Sequence, residues 1–221
     1  VSQPEVIMKE VNGHKMEPME QVIITVPENF SGTVIEKLGK RKGEMKDLVT
    51  ENGITRIEYE IPTRGLLGFR SEFIMDTKGE GLMDHSFLKY DVYKGPIPQR
   101  NNGVLISGEQ GTAVAFSLFN LQERGTIFIP PVTAVYEGMI IGENSRSEDM
   151  VVNPCKEKKM SNMRSSGADE AIKLVPHRPV TLETALEFIQ HDELVEITPK
   201  SVRLRKRFLT ETERKRAPKN L

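Results

Sequence analysis

The chain has 221 residues, of which 37% are hydrophobic and 29% are charged. This balance is typical of soluble globular proteins, and the length allows two domains. No apolar run approaches the roughly 18 residues of a membrane-spanning helix, so we expect no membrane association. The single cysteine excludes an internal disulfide and fits a reducing compartment, which predicts a cytoplasmic protein. Because the chain begins with Val1 and no signal pattern follows, we expect an internal fragment of a longer protein.

Charge is distributed unevenly along the chain. The total is −1 at pH 7, but residues 200–221 carry nine Lys or Arg against two Glu. That segment therefore has a net charge of +7, and residues 1–199 have a net charge of −8. A near-neutral total does not exclude a polyanionic partner for the basic end.

The first elements alternate between strand and helix patterns. Residues 1–18 contain Pro4 and Pro18 and predict an extended connecting segment from a preceding domain. A strand is predicted over residues 21–26. A helix follows, which Ser31 would cap and whose inner face would carry Val34, Ile35 and Leu38.

A hairpin and a second helix follow. The runs 44–49 and 54–61 flank Asn52-Gly53, a strong hairpin cue, and the inward side chains would be Ile57, Tyr59 and Ile61. Thr63 is predicted to cap a helix whose apolar residues are Leu66, Leu67, Phe73 and Ile74. A last strand alternates over residues 88–92. This order predicts a ferredoxin-like βαββαβ sandwich over residues 19–97.

The pattern changes after residues 95–98, and we place a domain boundary there. Residues 98–221 are predicted to form a mostly β domain, and the whole chain falls in the α+β class. The predicted strands are 103–106, 112–118, 126–129 and 138–142, with a further strand at 171–175. One helix is clear after its cap, Thr181. Residues 194–197 and 202–207 would pair as a hairpin, and residues 210–216 predict a short capped helix.

Residues 153–170 form a polar, basic stretch whose apolar residues recur too sparsely for a buried strand, which predicts a long exposed loop. Long loops are commonly functional or disordered. Cationic and small neutral side chains together are the mixture that contacts phosphate and sugar. The alternative is a solvated linker. The candidate RNA-binding residues are Lys156, Lys158, Lys159, Asn162, Arg164, Ser165 and Ser166.

The predicted strand 202–207 would place Arg203, Arg205 and Arg207 on one face. Arginine can bind a phosphate through two hydrogen bonds, so this stripe is a second candidate RNA-binding site. The alternative is a charged, solvated sheet face. Because the chain has no Trp, recognition of folded RNA by backbone and shape is favoured over base stacking.

Other chemistry lacks a sequence signal. No glycine-rich loop is followed by the Lys-Ser/Thr pair that cradles nucleotide phosphates. The four histidines are scattered, and Cys155 has no close partner in the sequence, so neither a metal site nor a catalytic site is predicted. Lys156 could favour a Cys155 thiolate, but no acid-base partner is evident and an inert thiol is expected.

Several motifs in the first domain resemble the fifth domain of elongation factor G. They are Glu17-Pro-Met-Glu20, Val26-Pro-Glu28, Gly32-Thr-Val34, Leu38-Gly-Lys-Arg-Lys-Gly43, Ile61-Pro-Thr-Arg-Gly-Leu-Leu-Gly-Phe-Arg-Ser71 and Thr77-Lys-Gly-Glu-Gly81. The rest of the chain is similar to the C-terminal part of the BipA/TypA family. Its motifs are Asn102-Gly-Val-Leu-Ile-Ser107, Val135-Tyr-Glu-Gly138, Ile141-Gly142, Ser145-Arg-Ser147, Lys158-Lys159, Asn162-Met-Arg164, Ser166-Gly167 and Asp192-Glu-Leu-Val-Glu196.

This resemblance implies the C-terminal half of a bacterial, ribosome-binding translational GTPase, with roles in stress response, virulence regulation and large-subunit assembly. It implies that GTP and Mg²⁺ bind in a missing N-terminal part, so this fragment needs no cofactor and is not an enzyme. The implied partners are the ribosome, through 23S rRNA, and an A-site tRNA. The family's extended loop corresponds to residues 153–170. The resemblance implies that the RNA-contacting residues of this loop are Lys158, Lys159, Asn162, Arg164 and Ser166. We expect a monomer.

One alternative function stays open at this point. The exposed sheet of the first domain could dock a ribosomal protein or a regulator without direct RNA contact. Such binding would survive RNase and vary little with salt, whereas RNA binding would weaken as salt rises.

Overall fold

The computed structural model describes residues 1–97, 100–157 and 173–217. The chain divides into two compact units. One comprises Pro4–Gln99, and the other comprises Val1–Gln3 together with Arg100–Leu221.

The first unit is a four-stranded antiparallel sheet with helices on one face and an additional short strand. In chain order, the elements are β1 (Lys9–Val11), β2 (His14–Pro27), α1 (Glu28–Lys40), β3 (Glu44–Glu51), β4 (Ile54–Pro62), α2 (Thr63–Leu66), α3 (Phe69–Asp76) and β5 (Leu82–Val92). The spatial order β3-β4-β2-β5 is that of a split βαβ sandwich. The predicted ferredoxin-like fold is confirmed.

The core of this unit lies between the sheet and the helices. Alternation along β2 and β4 directs one set of side chains inward, and the helices close over them. The inward positions predicted for β4 are confirmed, since Ile57, Tyr59 and Ile61 are buried. The remaining core residues are Val22, Ile24, Val26, Val34, Leu38, Phe69 and Phe73. At the β3–β4 turn, Asn52 and Gly53 have φ of 52° and 76°, the conformation that an Asn-Gly hairpin turn requires.

Three details of the first unit differ from the sequence prediction. Residues 9–18 belong to the sheet, because β1 pairs with the beginning of β2. Helix α1 begins at Glu28 rather than after Ser31, whose hydroxyl lies within the helix and donates to the Glu28 carbonyl (2.7 Å). The predicted second helix is split into α2 and α3, and Thr63 makes no capping hydrogen bond. Leu67 and Ile74 are consequently exposed.

The second unit is built on a six-stranded mixed sheet. Its elements are β6 (Val104–Ser107), β7 (Gly111–Thr112), α4 (Ala115–Gln122), β8 (Gly125–Ile127), β9 (Ala134–Val135), β10 (Met139–Asn144), β11 (Met150–Val152), α5 (Leu182–Phe188), β12 (Glu193–Thr198), β13 (Ser201–Lys206) and α6 (Glu211–Arg216). The strand order is β11-β6-β10-β13-β12, and β8 also pairs with β10. Only the β11–β6 pair is parallel among the described strands.

Both faces of this sheet are covered, so neighbouring residues of a central strand enter different cores. Leu105 and Ile141 pack in a cluster with α4, whereas Ile106 and Ile140 pack in a cluster with α5. This is why residues 104–106 and 139–141 form uninterrupted apolar runs. The architecture confirms the α+β class and the β-rich second half.

Two strand predictions in this unit are wrong. The predicted strand 112–118 overlaps helix α4, which buries Leu118 and Leu121 three residues apart. The short apolar run suits a strand equally well, and only packing against β8 distinguishes the two. Residues 173–175 of the predicted strand 171–175 are not in a strand, and residues 171–172 lie outside the described residues.

Three other predictions are confirmed. Thr181 caps α5, since its side chain accepts from the Thr184 amide in a capping box. Strands β12 and β13 form the predicted hairpin, with Thr198 opposite Ser201. Thr210 caps α6 by the same box with Glu213.

Candidate nucleic-acid interface

The β12–β13 hairpin separates its basic side chains between its two faces. Leu204 and Lys206 are buried, whereas Arg203 and Arg205 are half-buried on the opposite face and Arg207 is exposed just beyond β13. The period of two in the strand produces this division. Arg203 and Arg205 therefore point to the same side of the sheet as Met139 and the α4 cluster, opposite Leu204 and the α5 cluster, and Arg207 follows the end of the strand.

The guanidinium groups of this hairpin have few intramolecular partners among the described residues. Arg203 Nε donates to Ser201 Oγ (3.1 Å), and Arg205 Nη2 donates weakly to the Arg207 carbonyl (3.5 Å). Arg205 Nε is buried without a hydrogen-bond acceptor. No described carboxylate forms a salt bridge with any of the three. The two Nη groups of Arg203 and the exposed Arg207 side chain have no described intramolecular acceptor, and they are the donors that an anion could bind.

One carboxylate limits the positive charge of this face. Glu196 lies opposite Arg203 in the strand register and accepts a hydrogen bond from the Tyr136 hydroxyl. Burial raises the pKa of Tyr136, and the hydrogen bond to Glu196 raises it further, while Arg205 and Arg203 oppose the shift. Tyr136 therefore remains a neutral donor that holds Glu196 beside the arginines.

Lys206 belongs to the interior rather than to the interface. Its Nζ contacts Asp149 (2.7 Å), Asp192 (2.8 Å) and Glu193 (3.0 Å), and the residue is 2% exposed. Arg100 donates to both oxygens of Glu193 and stacks on the Phe188 ring. Burial alone would lower the pKa of Lys206, but Glu193, Asp149 and Asp192 raise it overall. This network ties β13 to β12 and to the segment before β11.

The basic end of α6 is partly occupied within the molecule. Arg214 Nη1 donates to the carbonyls of Phe208 (3.2 Å) and Leu209, and Lys215 pairs with Glu211 (2.6 Å). All three basic residues 214–216 lie in the last turn, where cations stabilise the negative end of the helix dipole. Arg214 is therefore a structural residue.

The beginning of the basic loop is fixed to α4. Ser117 Oγ donates to the Asn153 carbonyl (2.6 Å), and the Val114 amide donates to the Pro154 carbonyl (3.0 Å). The Asn153 side chain accepts from the Cys155 amide (2.9 Å), which forms a tight turn. Pro154 is buried as a result.

The chain that follows the loop, at residues 174–178, is fixed to the same helix and to β8. The side chain of Gln122 donates to the Val175 carbonyl (2.7 Å) and accepts from the Val175 amide (3.1 Å). Leu174 packs against the core cluster beside α4, and the Arg178 amide donates to the Ile127 carbonyl (2.9 Å). Neither Ser117 nor Gln122 was predicted as a site residue, because the run 112–118 predicted a strand where helix α4 lies. The signal available in the sequence was the Asn153-Pro154 pair at the start of the loop, which is typical of a turn whose carbonyl groups need donors such as the Ser117 hydroxyl.

Only part of the predicted loop site can be located. Lys156 is exposed, and so is its neighbour Glu157. The other predicted loop residues, Lys158, Lys159, Asn162, Arg164, Ser165 and Ser166, lie outside the described residues.

The structure gives no support to a catalytic thiol. Burial raises the pKa of Cys155, and the charge of Glu109 raises it further, which disfavours the reactive thiolate. Within residues 1–97, 100–157 and 173–217, no group of three His, Cys, Asp or Glu side chains could hold a metal ion. No helix in these ranges is both long and apolar enough to cross a membrane.

Comparisons with known proteins assign both units. The family model "Elongation factor G C-terminus" matches residues 14–101, and the model "TypA/BipA C-terminal domain" matches residues 102–211. The protein named "Large ribosomal subunit assembly factor BipA" from Escherichia coli K12 is 54% identical over 219 residues, which is 98% of this chain and 36% of that protein. The Synechocystis protein of the same name is 51% identical over 207 residues, covering 93% and 35% of the two chains.

These matches show the class of protein: a domain like the C-terminus of elongation factor G is followed by a second domain of TypA/BipA type. The chain belongs to the TypA/BipA family and carries its C-terminal domains. The resemblance seen in the sequence motifs is confirmed. The chain spans about a third of the length of the curated relatives it matches.

Proposed function

We propose that this chain is the RNA-contacting, ribosome-binding portion of a cytoplasmic TypA/BipA-type translational GTPase. In this proposal it acts as a monomer on 23S rRNA and on an A-site tRNA. GTP and Mg²⁺ bind elsewhere in the parent protein, so this portion carries no catalytic residue. The names of the relatives, which describe a large-subunit assembly factor, support a ribosomal partner. Roles in large-subunit assembly, stress response and virulence regulation would belong to the whole protein.

The observation that carries the proposal is the division of charge on the β12–β13 hairpin. Lys206 is neutralised inside by three carboxylates, while Arg203 and Arg205 lack a described salt-bridge partner on the other face. Arginines arranged in this way can donate paired hydrogen bonds to phosphates. The hairpin itself is rigid, since six residue pairs connect its strands.

The anchoring of the basic loop is the second support. Ser117 binds the first residue of the loop, and Gln122, five residues or about 7.5 Å further along the same helix, binds Val175 in the segment that follows the loop. A long basic segment between two such fixed points starts and ends at a defined place on the domain. In the proposal, Lys156, Lys158, Lys159, Asn162, Arg164, Ser165 and Ser166 contact RNA from there.

Ribosome sedimentation with the full-length parent protein tests this function. Reversing three charges, with Lys158→Glu, Lys159→Glu and Arg164→Glu, should weaken ribosome association and flatten its dependence on salt, because fewer counterions are released. The binding is measured with a GTP analogue and with GDP. A variant that lacks the loop is compared in the same assay. Ribosome association that depends on the nucleotide and disappears when the loop is deleted would link this portion to the GTPase part.

The matched control keeps the charges and changes only the side chains, with Lys158→Arg, Lys159→Arg and Arg164→Lys. It should bind with nearly the same affinity and salt dependence. Unchanged ribosome association in a folded charge-reversed protein would rule out the loop as an RNA contact.

A further inference from the structure

The solvent-facing side of the first unit's sheet has a regular arrangement of acidic and apolar residues. The strand register places Asp47, Glu58, Ile23 and Asp84 in one row across β3, β4, β2 and β5. The adjacent row contains Val49, Arg56, Thr25 and Leu82. We call the residues of these two rows, together with Ile54, the acidic sheet face. Helices α1 and α3 pack on the opposite side of the sheet.

Apolar side chains on the acidic sheet face are open to solvent. Val49 is 43% exposed, Ile54 is 52% exposed and Leu82 is 69% exposed. They lie on one side of the carboxylate row, on strands β3, β4 and β5. Aliphatic side chains exposed in this way can be covered by apolar residues of a protein partner.

The carboxylates of the first row, Asp47, Glu58 and Asp84, lack cationic partners among the described residues. Asp47 accepts a hydrogen bond from the Leu48 amide (2.9 Å), and Glu58 accepts one from the Gln21 side chain. By contrast, the lysines at the end of the sheet, Lys46 and Lys89, both pair with Glu60. Arg56 is the basic residue of the two rows, against three carboxylates.

This charge pattern selects the class of partner. RNA would bring phosphates against Asp47, Glu58 and Asp84, and like charges repel. The two rows also contain no aromatic side chain on which a base could stack. A protein surface rich in Lys or Arg, with apolar residues between them, complements the face in both charge and polarity.

We propose that the acidic sheet face is a docking surface for a basic protein, separate from the RNA-contacting hairpin and loop. The partner presents cationic side chains to the row of Asp47, Glu58 and Asp84 and apolar side chains to Val49 and Leu82. Binding needs no RNA, and because carboxylates carry much of the attraction it weakens as salt rises, which differs from the nearly salt-independent docking expected from the sequence alone. The proposal does not depend on the RNA-contacting role.

Cross-linking with the complete 221-residue chain tests the surface. A photoreactive p-benzoylphenylalanine replaces Val49 on the face or, as a control, Thr33 on the exposed side of α1. The probe is the basic protein fraction extracted from large ribosomal subunits and freed of RNA. We expect one protein to cross-link from position 49 and not from position 33. That protein is then purified and titrated against the chain.

Isosteric neutralisation gives the quantitative test. Asp47→Asn, Glu58→Gln and Asp84→Asn together should raise the Kd of the purified protein at least tenfold. The control set Glu5→Gln, Glu10→Gln and Glu36→Gln changes the net charge by the same amount at exposed sites outside the face, and should change the Kd less than twofold. Circular dichroism and thermal unfolding verify that both variants are folded.

Several results would overturn the proposal. These are no cross-link from position 49, equal cross-linking from positions 33 and 49, cross-linking only when RNA is added, and equal losses of affinity in the two neutralised sets. All measurements are made without ribosomes or nucleotide. Failure here is therefore distinguishable from failure of the hairpin and loop variants in ribosome sedimentation.

Discussion

At the scale of single residues, Arg205 and Lys206 show how one step along a strand changes the role of a positive charge. The Arg205 guanidinium lies on the half-exposed face of the hairpin, while Lys206 is surrounded by Asp149, Asp192 and Glu193. A buried ammonium is tolerated only when carboxylates and hydrogen bonds compensate for the loss of water. Removing that ammonium therefore leaves Asp149 and Asp192 without a described salt-bridge partner and leaves Glu193 with Arg100 alone.

We predict that Lys206→Met destabilises the second unit by about 3–5 kcal/mol, the cost of breaking a buried ion pair. The free energy of unfolding is measured by chemical denaturation. Lys215→Met is the matched control, because it removes the exposed pair with Glu211 and should leave stability unchanged within error. A loss below about 1 kcal/mol for Lys206→Met would contradict the structural role of this network.

The same residue predicts a dependence on pH. The pKa of Lys206 is raised in the folded state above its ordinary value of 10.5. Its contribution to stability is therefore complete below pH 10.5 and is lost as the pH rises through the higher folded value. The difference in unfolding free energy between the wild type and Lys206→Met should shrink in that alkaline window. A constant difference would show that Lys206 acts through packing rather than through its charge.

At the scale of secondary-structure elements, helix α4 connects the fold to the candidate interface. It contributes Leu118 and Leu121 to the core, and its Ser117 and Gln122 bind Asn153 at the start of the basic loop and Val175 after the loop. One short helix therefore performs both packing and positioning. This arrangement makes the attachment of the loop testable without changing any basic residue.

Gln122→Ala should loosen the end of the loop without unfolding the domain. It removes two hydrogen bonds to Val175, each worth about 0.5–1.5 kcal/mol, so exchange of the Val175 amide should accelerate at least twofold. Hydrogen exchange followed by NMR measures the rate. Gln190→Ala changes another glutamine side chain, which donates to the Arg100 carbonyl, and should leave the Val175 amide unaffected. Equal acceleration in both variants would indicate general destabilisation instead.

Gly138, just before β10, sets the approach of the segment that follows β13. Its φ is 86°, and a Cβ there would lie 2.6 Å from the Leu209 Cα. Gly138→Ala should therefore lower stability through two effects, the strain of a positive φ and a steric clash that costs about 1–3 kcal/mol. Gly13→Ala, at φ 76° in open space, reports the strain alone. Calorimetry measures the loss of stability that each substitution causes in its own unit. Equal losses for Gly138→Ala and Gly13→Ala would show that the close approach to Leu209 does not matter.

At the scale of the whole molecule, the two proposed surfaces have opposite charge. The hairpin and the loop are basic, whereas the acidic sheet face lies in the other unit. The near-neutral net charge is the sum of −3 over residues 1–99, which carry 13 Lys or Arg against 16 Asp or Glu, and +2 over residues 100–221, which carry 18 against 16. RNA association and protein docking can then be changed independently.

We predict that Arg203→Gln with Arg207→Gln weakens ribosome binding of the full-length protein and lowers the slope of log K against log salt by about one for each phosphate that is no longer bound. Cosedimentation over a series of salt concentrations measures the slope. Arg203→Lys with Arg207→Lys keeps both charges and should retain the slope while losing paired hydrogen bonds. An unchanged slope in the Gln variant would exclude these arginines from RNA binding.

Features that depend on local chemistry could be predicted from the amino-acid sequence. Alternation along β4 indicated which side chains face the core, Asn52-Gly53 indicated the hairpin, and Thr181 and Thr210 marked the beginnings of two helices. Each of these signals acts through neighbouring residues, so no distant contact is needed to interpret it. The family motifs added the identity of both domains.

Features that depend on distant partners emerged only from the folded chain. The run before Leu118 suits a strand or a helix until packing selects the helix, and no local pattern shows that Gln122 binds Val175. Likewise, Lys206 resembles its basic neighbours in sequence, yet carboxylates from three other positions draw it into the interior. Long-range contacts determine these outcomes because the energies of burial and pairing exceed local preferences.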